Sequence, residues 1–260
     1  MQVLRISGFI GILILIVVGY SKQTQPQVEP LEIYILMGQS NMAGRDTSAL
    51  DAQVDDKRIV AFREDNTWQV ARDPIHKKTG RTEPGIGPGI PFAKAMLDSG
   101  DVTHIGLVPT AVGGSPLRRW EKGGDLYAAA IEKIKFAIQH GKIKGVLWHQ
   151  GESDSDKQSN AETYGVRLIQ MFQDLRADLG MPNLPIVVGE MGYFLEPERF
   201  PFASNVREGL RNTADSLKCV GFVGSIGLEH KGDQLHFSAP SAIELGERFA
   251  KAMIEIECGD

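Results

Sequence analysis

Six short apolar runs rich in Ile and Val punctuate this chain: Ile33–Met37, Ile59–Phe62, His104–Val108, Gly145–Trp148, Ile186–Gly189 and Val220–Val223. Gly or Pro flanks them, as expected of buried parallel strands. Helix patterns lie between the runs, at Ile90–Ser99, Leu126–His140, Ala161–Leu179, Ala203–Ser216 and Ser241–Ile256. In the third of these Tyr164, Leu168, Met171 and Leu175 share one face, and Gly180 supplies the stop; Gly141 does the same after the second. Strand–helix alternation of this kind predicts an α/β fold, a parallel sheet with helices on both faces. Sites in such sheets lie at the carboxyl ends of the strands. Arg72–Pro91, rich in Gly, Pro and charge, reads as a long surface loop near the site.

A chain of 260 residues can bury a sizeable core, and one α/β domain is the expected organisation. A net charge of −5, with Lys and Arg dispersed along the chain, argues against a nucleic-acid partner. The N-terminus is built differently. Arg5 precedes the almost wholly apolar Phe9–Tyr20, and Gly19 and Ser21 are small residues spaced for cleavage after Ser21. Residues 1–21 therefore read as a signal peptide for secretion or periplasmic export. The run is short against the ~20 apolar residues of a membrane span, so no stable membrane anchor is expected after cleavage; an uncleaved anchor is the alternative. Polar, Pro-containing Lys22–Pro30 reads as a linker, and residues 31–260 as the folded domain. Cys219 and Cys258 are the only cysteines. Export makes a disulfide possible, and two buried thiols remain equally open. The sequence does not speak to oligomeric state.

Four motifs carry chemistry. Ser40 ends the first strand in Gly38-Gln39-Ser40-Asn41-Met42. Backbone N–H groups at such a turn favour negative charge, which suits a nucleophile; the plain alternative is a helix cap. Met42 breaks the Gly-x-Ser-x-Gly pattern, so the elbow of the α/β-hydrolases is not indicated. Far along the chain, Asp233-Gln-Leu-His236 offers a base and a carboxylate that meet on one turn. A serine hydroxyl needs such a base, and the base an orienting carboxylate. His149-Gln150-Gly151-Glu152 follows the strand ending at Trp148. Gln150 is a candidate oxyanion donor, and Glu152 a second carboxylate for His236. His149 and Glu152 lack the third ligand that a metal site would need. Gly113-Gly114-Ser115 follows the strand ending at Val108; its glycines let a backbone N–H approach substrate closely.

Taken together, Gly38-Gln39-Ser40-Asn41-Met42-Ala43-Gly44, Gly113-Gly114-Ser115, His149-Gln150-Gly151-Glu152 and Asp233-x-x-His236 resemble the SGNH (GDSL-like) hydrolases. Within them they are most similar to the sialate O-acetylesterase-like branch, which includes the carbohydrate esterase family 6 acetyl xylan esterases. The resemblance runs from Leu31 to Ile256. It implies a three-layer α/β/α sandwich around a flavodoxin-like parallel sheet. It implies Ser40 as nucleophile, His236 as general base, Asp233 as main orienter and Glu152 as its support. The Ser40 and Gly113 N–H groups with the Gln150 side chain would form the oxyanion hole. Gln39, Asn41, Gly114 and Arg118 are expected to bind substrate. No metal or organic cofactor is implied.

The resemblance and the export signal together point to an O-acetylated carbohydrate, such as acetyl xylan or an O-acetyl sialate, as substrate. Arg118 with Arg119 would suit a sugar carboxylate. Trp68, Trp120 and Tyr193 would suit ring stacking, with core packing the competing role for each. A binding protein of the same fold without catalysis, and an esterase for other small acyl esters, are the rival readings.

Overall fold

A computed structural model describes residues 31–79 and 82–258. The expected signal peptide and linker lie outside the described residues. Among the described residues seven strands form one sheet in the order β3-β2-β4-β1-β5-β6-β7. In chain order they are β1 (Leu31–Gly38), β2 (Ile59–Phe62), β3 (Trp68–Val70), β4 (Ile105–Pro109), β5 (Gly141–His149), β6 (Ile186–Gly189) and β7 (Val220–Val223). The helices are α1 (Ser40–Ala43), α2 (Gly89–Asp98), α3 (Asp125–Ala137), α4 (Gln158–Leu179), α5 (Ala203–Ser216) and α6 (Ala239–Glu255). Every strand pair is parallel except β2–β3.

The three layers follow from the period of two in the central strand. Ile33, Ile35 and Met37 of β1 pack with α3, α4 and α5, whereas Tyr34 and Leu36 pack with α2 and α6. Because both faces are covered, the strand is apolar throughout, which is why it was legible as a run. Gly180 ends α4 in the left-handed region (φ 66°). Its N–H reaches the Ala177 carbonyl and that of Met181 the Arg176 carbonyl, the paired bonds of a Schellman cap.

β1 is the pivot. After it the chain builds β2 and then β4 on one side, and from β5 onward it builds on the other. The two neighbours of β1 are thus reached by connections that leave in opposite directions. A crevice opens at such a switch point, outside the carboxyl ends. The segments that leave β1, β4 and β5 there carry Ser40, Gly113-Gly114 and Gln150-Gly151-Glu152.

Candidate active site

Gly38 ends β1 with φ 126°, and a Cβ there would come within 2.1 Å of the His149 carbonyl oxygen. Only glycine lets the chain lie this close to β5. The next N–H, that of Gln39, donates to the same carbonyl at 2.9 Å. The chain then turns into α1, whose first residue is Ser40. The Ser40 N–H opens the helix and so has no intrahelical acceptor.

The loop before α6 supplies the base. Asp233 Oδ1 accepts from the N–H groups of Leu235 (3.1 Å) and His236 (2.8 Å), closing a tight turn. Its Oδ2 lies 2.8 Å from His236 Nδ1. The other ring nitrogen, Nε2, lies 3.1 Å from Ser40 Oγ. Two residues on, Ser238 caps α6 by accepting from the Ser241 N–H at 3.4 Å. Burial alone would raise the Asp233 carboxyl. The His236 N–H and imidazole and the Leu235 N–H outweigh that and hold it well below the usual carboxylate range. Burial lowers the His236 pKa, Arg45 lowers it further, and Asp233 and Glu152 oppose them; the net shift is downward. The ring is therefore neutral at pH 7, the form a general base needs.

Asn41 takes a role the sequence did not assign to it. It is 3% exposed and, unlike Gln39, is not among the residues that line the cleft. Its Nδ2 donates to the Leu235 carbonyl (3.1 Å) and its Oδ1 accepts from the Phe237 N–H (3.1 Å). It clamps the backbone on both sides of His236. The same Nδ2 donates to Glu152 Oε1 at 2.5 Å. Glu152 is thus not the partner of His236, whose Nδ1 is already taken by Asp233. It acts one step back, fixing which end of the Asn41 amide faces Leu235.

Gln150 also departs from expectation. Its side chain is fully buried. Tyr164 donates to Gln150 Oε1 at 2.7 Å, which sets the orientation of the amide. Nε2 then faces Asp154 Oδ2 (2.7 Å), the Ser115 carbonyl (3.1 Å) and Gln39 Oε1 (3.2 Å). Its two N–H groups are consumed below the cleft floor and do not reach an oxyanion. Asp154, which also accepts the Leu117 N–H at 2.7 Å, is the anchor of this network. Neither Asp154 nor Tyr164 carries a motif signal that would have singled it out.

A cleft of about 670 Å³ opens above Ser40 and His236. Gln39, Gly113, Gly114 and Arg118 line it, as do Arg45 and Thr79, which the sequence did not point to. Gln39 Oε1 is occupied by Gln150 and by the Ser153 N–H, leaving Gln39 Nε2 for the cleft. The Gly113 N–H donates to Thr79 Oγ1 at 3.2 Å. Arg119 pairs with Asp125 (2.5 Å) and does not line the cleft, so only Arg118 of that pair does. Trp120 is buried against Trp148 with its Nε1 on Ser115 Oγ. Trp68 packs on Phe62, and Tyr193 lies under Arg207. None of the three lines the cleft. His149, fully buried, donates from Nε2 to the Glu190 carbonyl and supports the Phe237 ring.

Residues 30–255 match the family described as carbohydrate esterase, sialic acid-specific acetylesterase. The chain is 34% identical over 258 residues to a protein of Arabidopsis thaliana named probable carbohydrate esterase At4g34215, covering 91% of this chain and 95% of that one. The X-ray structure of the Arabidopsis protein superposes with a TM-score of 0.78 at 31% identity, over 88% of this chain and all of that one. Two others share the fold. NanS has a TM-score of 0.71 at 18% identity, over 88% of this chain and 98% of its own. XAC1771, a carbohydrate acetylesterase from Xanthomonas citri, has 0.66 at 21%, over 88% of this chain and 57% of its own.

The family match makes this fold, with the crevice at its switch point, that of an SGNH-type carboxylic ester hydrolase, an acetylesterase. Within that class the chain belongs to the sialic acid-specific acetylesterase family of carbohydrate esterases.

Proposed function

We propose that this protein is an exported serine esterase that removes O-acetyl groups from carbohydrates through an acetyl-serine intermediate. The observation that carries the mechanism is the unbroken line from Asp233 Oδ2 through His236 to Ser40 Oγ, 2.8 and 3.1 Å, at the floor of the cleft. His236 takes the Ser40 proton as Oγ attacks the ester carbonyl, then returns it to the leaving sugar hydroxyl. Asp233 holds the ring by Nδ1 and stabilises the imidazolium. The second half-reaction repeats the sequence with water. The Ser40 and Gly113 N–H groups meet the oxyanion; at Gly113 the ester oxygen replaces the Thr79 hydroxyl. Gln39 Nε2 and Arg118 are suited to sugar oxygens and to a carboxylate.

Export is supported by Arg5 and the apolar Phe9–Tyr20. It is also supported by the pairing of Cys219 with Cys258, since disulfides persist in oxidising compartments. Acetate release from acetylated xylan, from an O-acetylated sialic acid and from 4-nitrophenyl acetate tests the reading. The protein should release acetate from at least one sugar ester, and Ser40→Ala should abolish release from all. Equal rates for the two proteins would overturn the nucleophile. Release from the synthetic ester alone would overturn the carbohydrate.

A further inference from the structure

One strong charge at this site has no role in the steps above. Arg45 follows α1 by two residues, is only 7% exposed and lines the cleft. Its hydrogen bond runs from Nη1 to the carbonyl of its neighbour Gly44 at 2.6 Å. Among the described residues no carboxylate pairs with it, and burial alone lowers its pKa. Arginine is almost never buried unless paired, because an unpaired charge is costly to bury. A cation kept in this state at the floor of a reactive cleft is suited to an anion that forms during the reaction.

The position of the guanidinium says which anion. Nη2 lies 2.2 Å from where a Cβ on Gly113 would stand, so the missing side chain of Gly113 is what gives the guanidinium its room. Thr79 Oγ1 lies 3.6 Å from the same point and accepts the Gly113 N–H. An oxygen acceptor thus already rests on the expected oxyanion donor, and the guanidinium lies against the same residue. Gln150, the side chain expected to complete the oxyanion hole, has both its N–H groups bonded elsewhere. The exposed cations of the cleft, Arg118, Lys157 and Arg199, are placed for charges on the sugar. Arg45, buried beside Gly113, is not.

We infer that Arg45 is a catalytic residue of the proposed esterase, whose free guanidinium N–H groups, in place of Gln150, receive the oxyanion beside the N–H groups of Ser40 and Gly113. As the Ser40 Oγ–carbon bond forms, the carbonyl π pair moves to oxygen and the serine proton to His236. The negative charge so created faces the guanidinium. When the pair returns, the bond to the sugar oxygen breaks, and that oxygen takes the proton from His236.

The inference rests on the serine-esterase reading, and the test separates the two. Arg45→Met and Arg45→Lys are compared with the unsubstituted protein on 4-nitrophenyl acetate, a neutral ester, with folding followed by circular dichroism. The expected result for Arg45→Met is a fall in kcat of about 10²-fold or more, as for loss of one oxyanion donor, with KM within about threefold and a native spectrum. A kcat within threefold of the unsubstituted value would overturn the inference, as would a loss confined to KM for carboxylate-bearing esters. A crystal structure of the unsubstituted protein with Ser40 phosphonylated by a neutral 4-nitrophenyl phosphonate does not depend on the variants folding. A guanidinium nitrogen in hydrogen-bond range of the phosphoryl oxygen is expected; a water or another side chain there instead would overturn it. If the unsubstituted protein neither turns over the ester nor takes up the phosphonate at Ser40, it is the esterase reading that fails.

Discussion

Asn41 holds the Leu235 carbonyl and the Phe237 N–H, the backbone groups on either side of His236, and so sets the base within reach of a serine 196 residues away in sequence. Replacing it with alanine frees both, and leaves Glu152 Oε1 buried without its donor. Asn41→Ala is expected to lower kcat by about 10–10²-fold, as a misplaced catalytic group does, with a smaller change in KM. Its unfolding free energy should fall by about 1–3 kcal/mol, the cost of an unsatisfied buried group. Kinetics and urea titration of the same preparation read both. The charge around His236 predicts a pH profile. Burial and Arg45 lower its pKa, Asp233 (with Lys231 Nζ 3.2 Å away) and Glu152 raise it, and the net is downward. The active form is the neutral ring, so kcat/KM should rise with pH through a limb centred below the ordinary histidine value of about 6.5. Asp233→Asn removes a charge that raises the pKa. The limb should move to still lower pH while kcat drops by about 10⁴-fold. A limb that moves upward in that variant would contradict the assignment of Asp233.

At the scale of elements, the strand ends bring the right residues together, and what decides their roles is which way each side chain turns. The runs at Ile59–Phe62, Ile186–Gly189 and Val220–Val223 were legible with their boundaries because each is apolar throughout, the first two buried and the edge strand β7 half-buried. The antiparallel edge strand Trp68–Val70 was not legible. It is three residues long and largely exposed, so neither period nor apolar run marks it. Ser40, Asp233 and His236 were legible because a nucleophile, a base and a carboxylate are recognisable residue types. The jobs of Gln150 and Asn41 were not. An amide offers donors and an acceptor alike, and the partners that orient these two, Tyr164 and Asp154 for one and Glu152 for the other, come from the segments after β5 and from α4. Arg45 was passed over for a related reason: nothing in sequence distinguishes an unpaired arginine from a surface one. The placement of Gln150 has its own consequence. Gln150→Leu strands Asp154 and Tyr164 in the core, and should cost about 1–3 kcal/mol of stability, read by denaturant titration. Loss of activity with stability unchanged would return Gln150 to the oxyanion hole.

Over the whole molecule, one sheet positions everything. β1 lies between β4 and β5, and the loop before α6 crosses the carboxyl ends of these strands to bring His236 over Ser40. Cys219, at the entry to β7, and Cys258, just past α6, are joined as a disulfide across 39 residues. That loop contains Asp233, His236 and the helix that follows them. Closing a loop of this length restricts the unfolded chain by about 4 kcal/mol in the chain-entropy model. Cys219→Ser with Cys258→Ser should lower stability by about 2–4 kcal/mol, with kcat at low temperature little changed because neither sulfur lines the cleft. The decisive observation concerns the covalent intermediate. The protein is mixed with 4-nitrophenyl acetate, quenched in acid within the first turnovers, digested and weighed by mass spectrometry. One acetyl group should appear on the peptide carrying Ser40, and be absent in Ser40→Ala. Turnover without acetylation at Ser40, or acetyl on any other residue at the same rate, would contradict a serine esterase built on Ser40, His236 and Asp233.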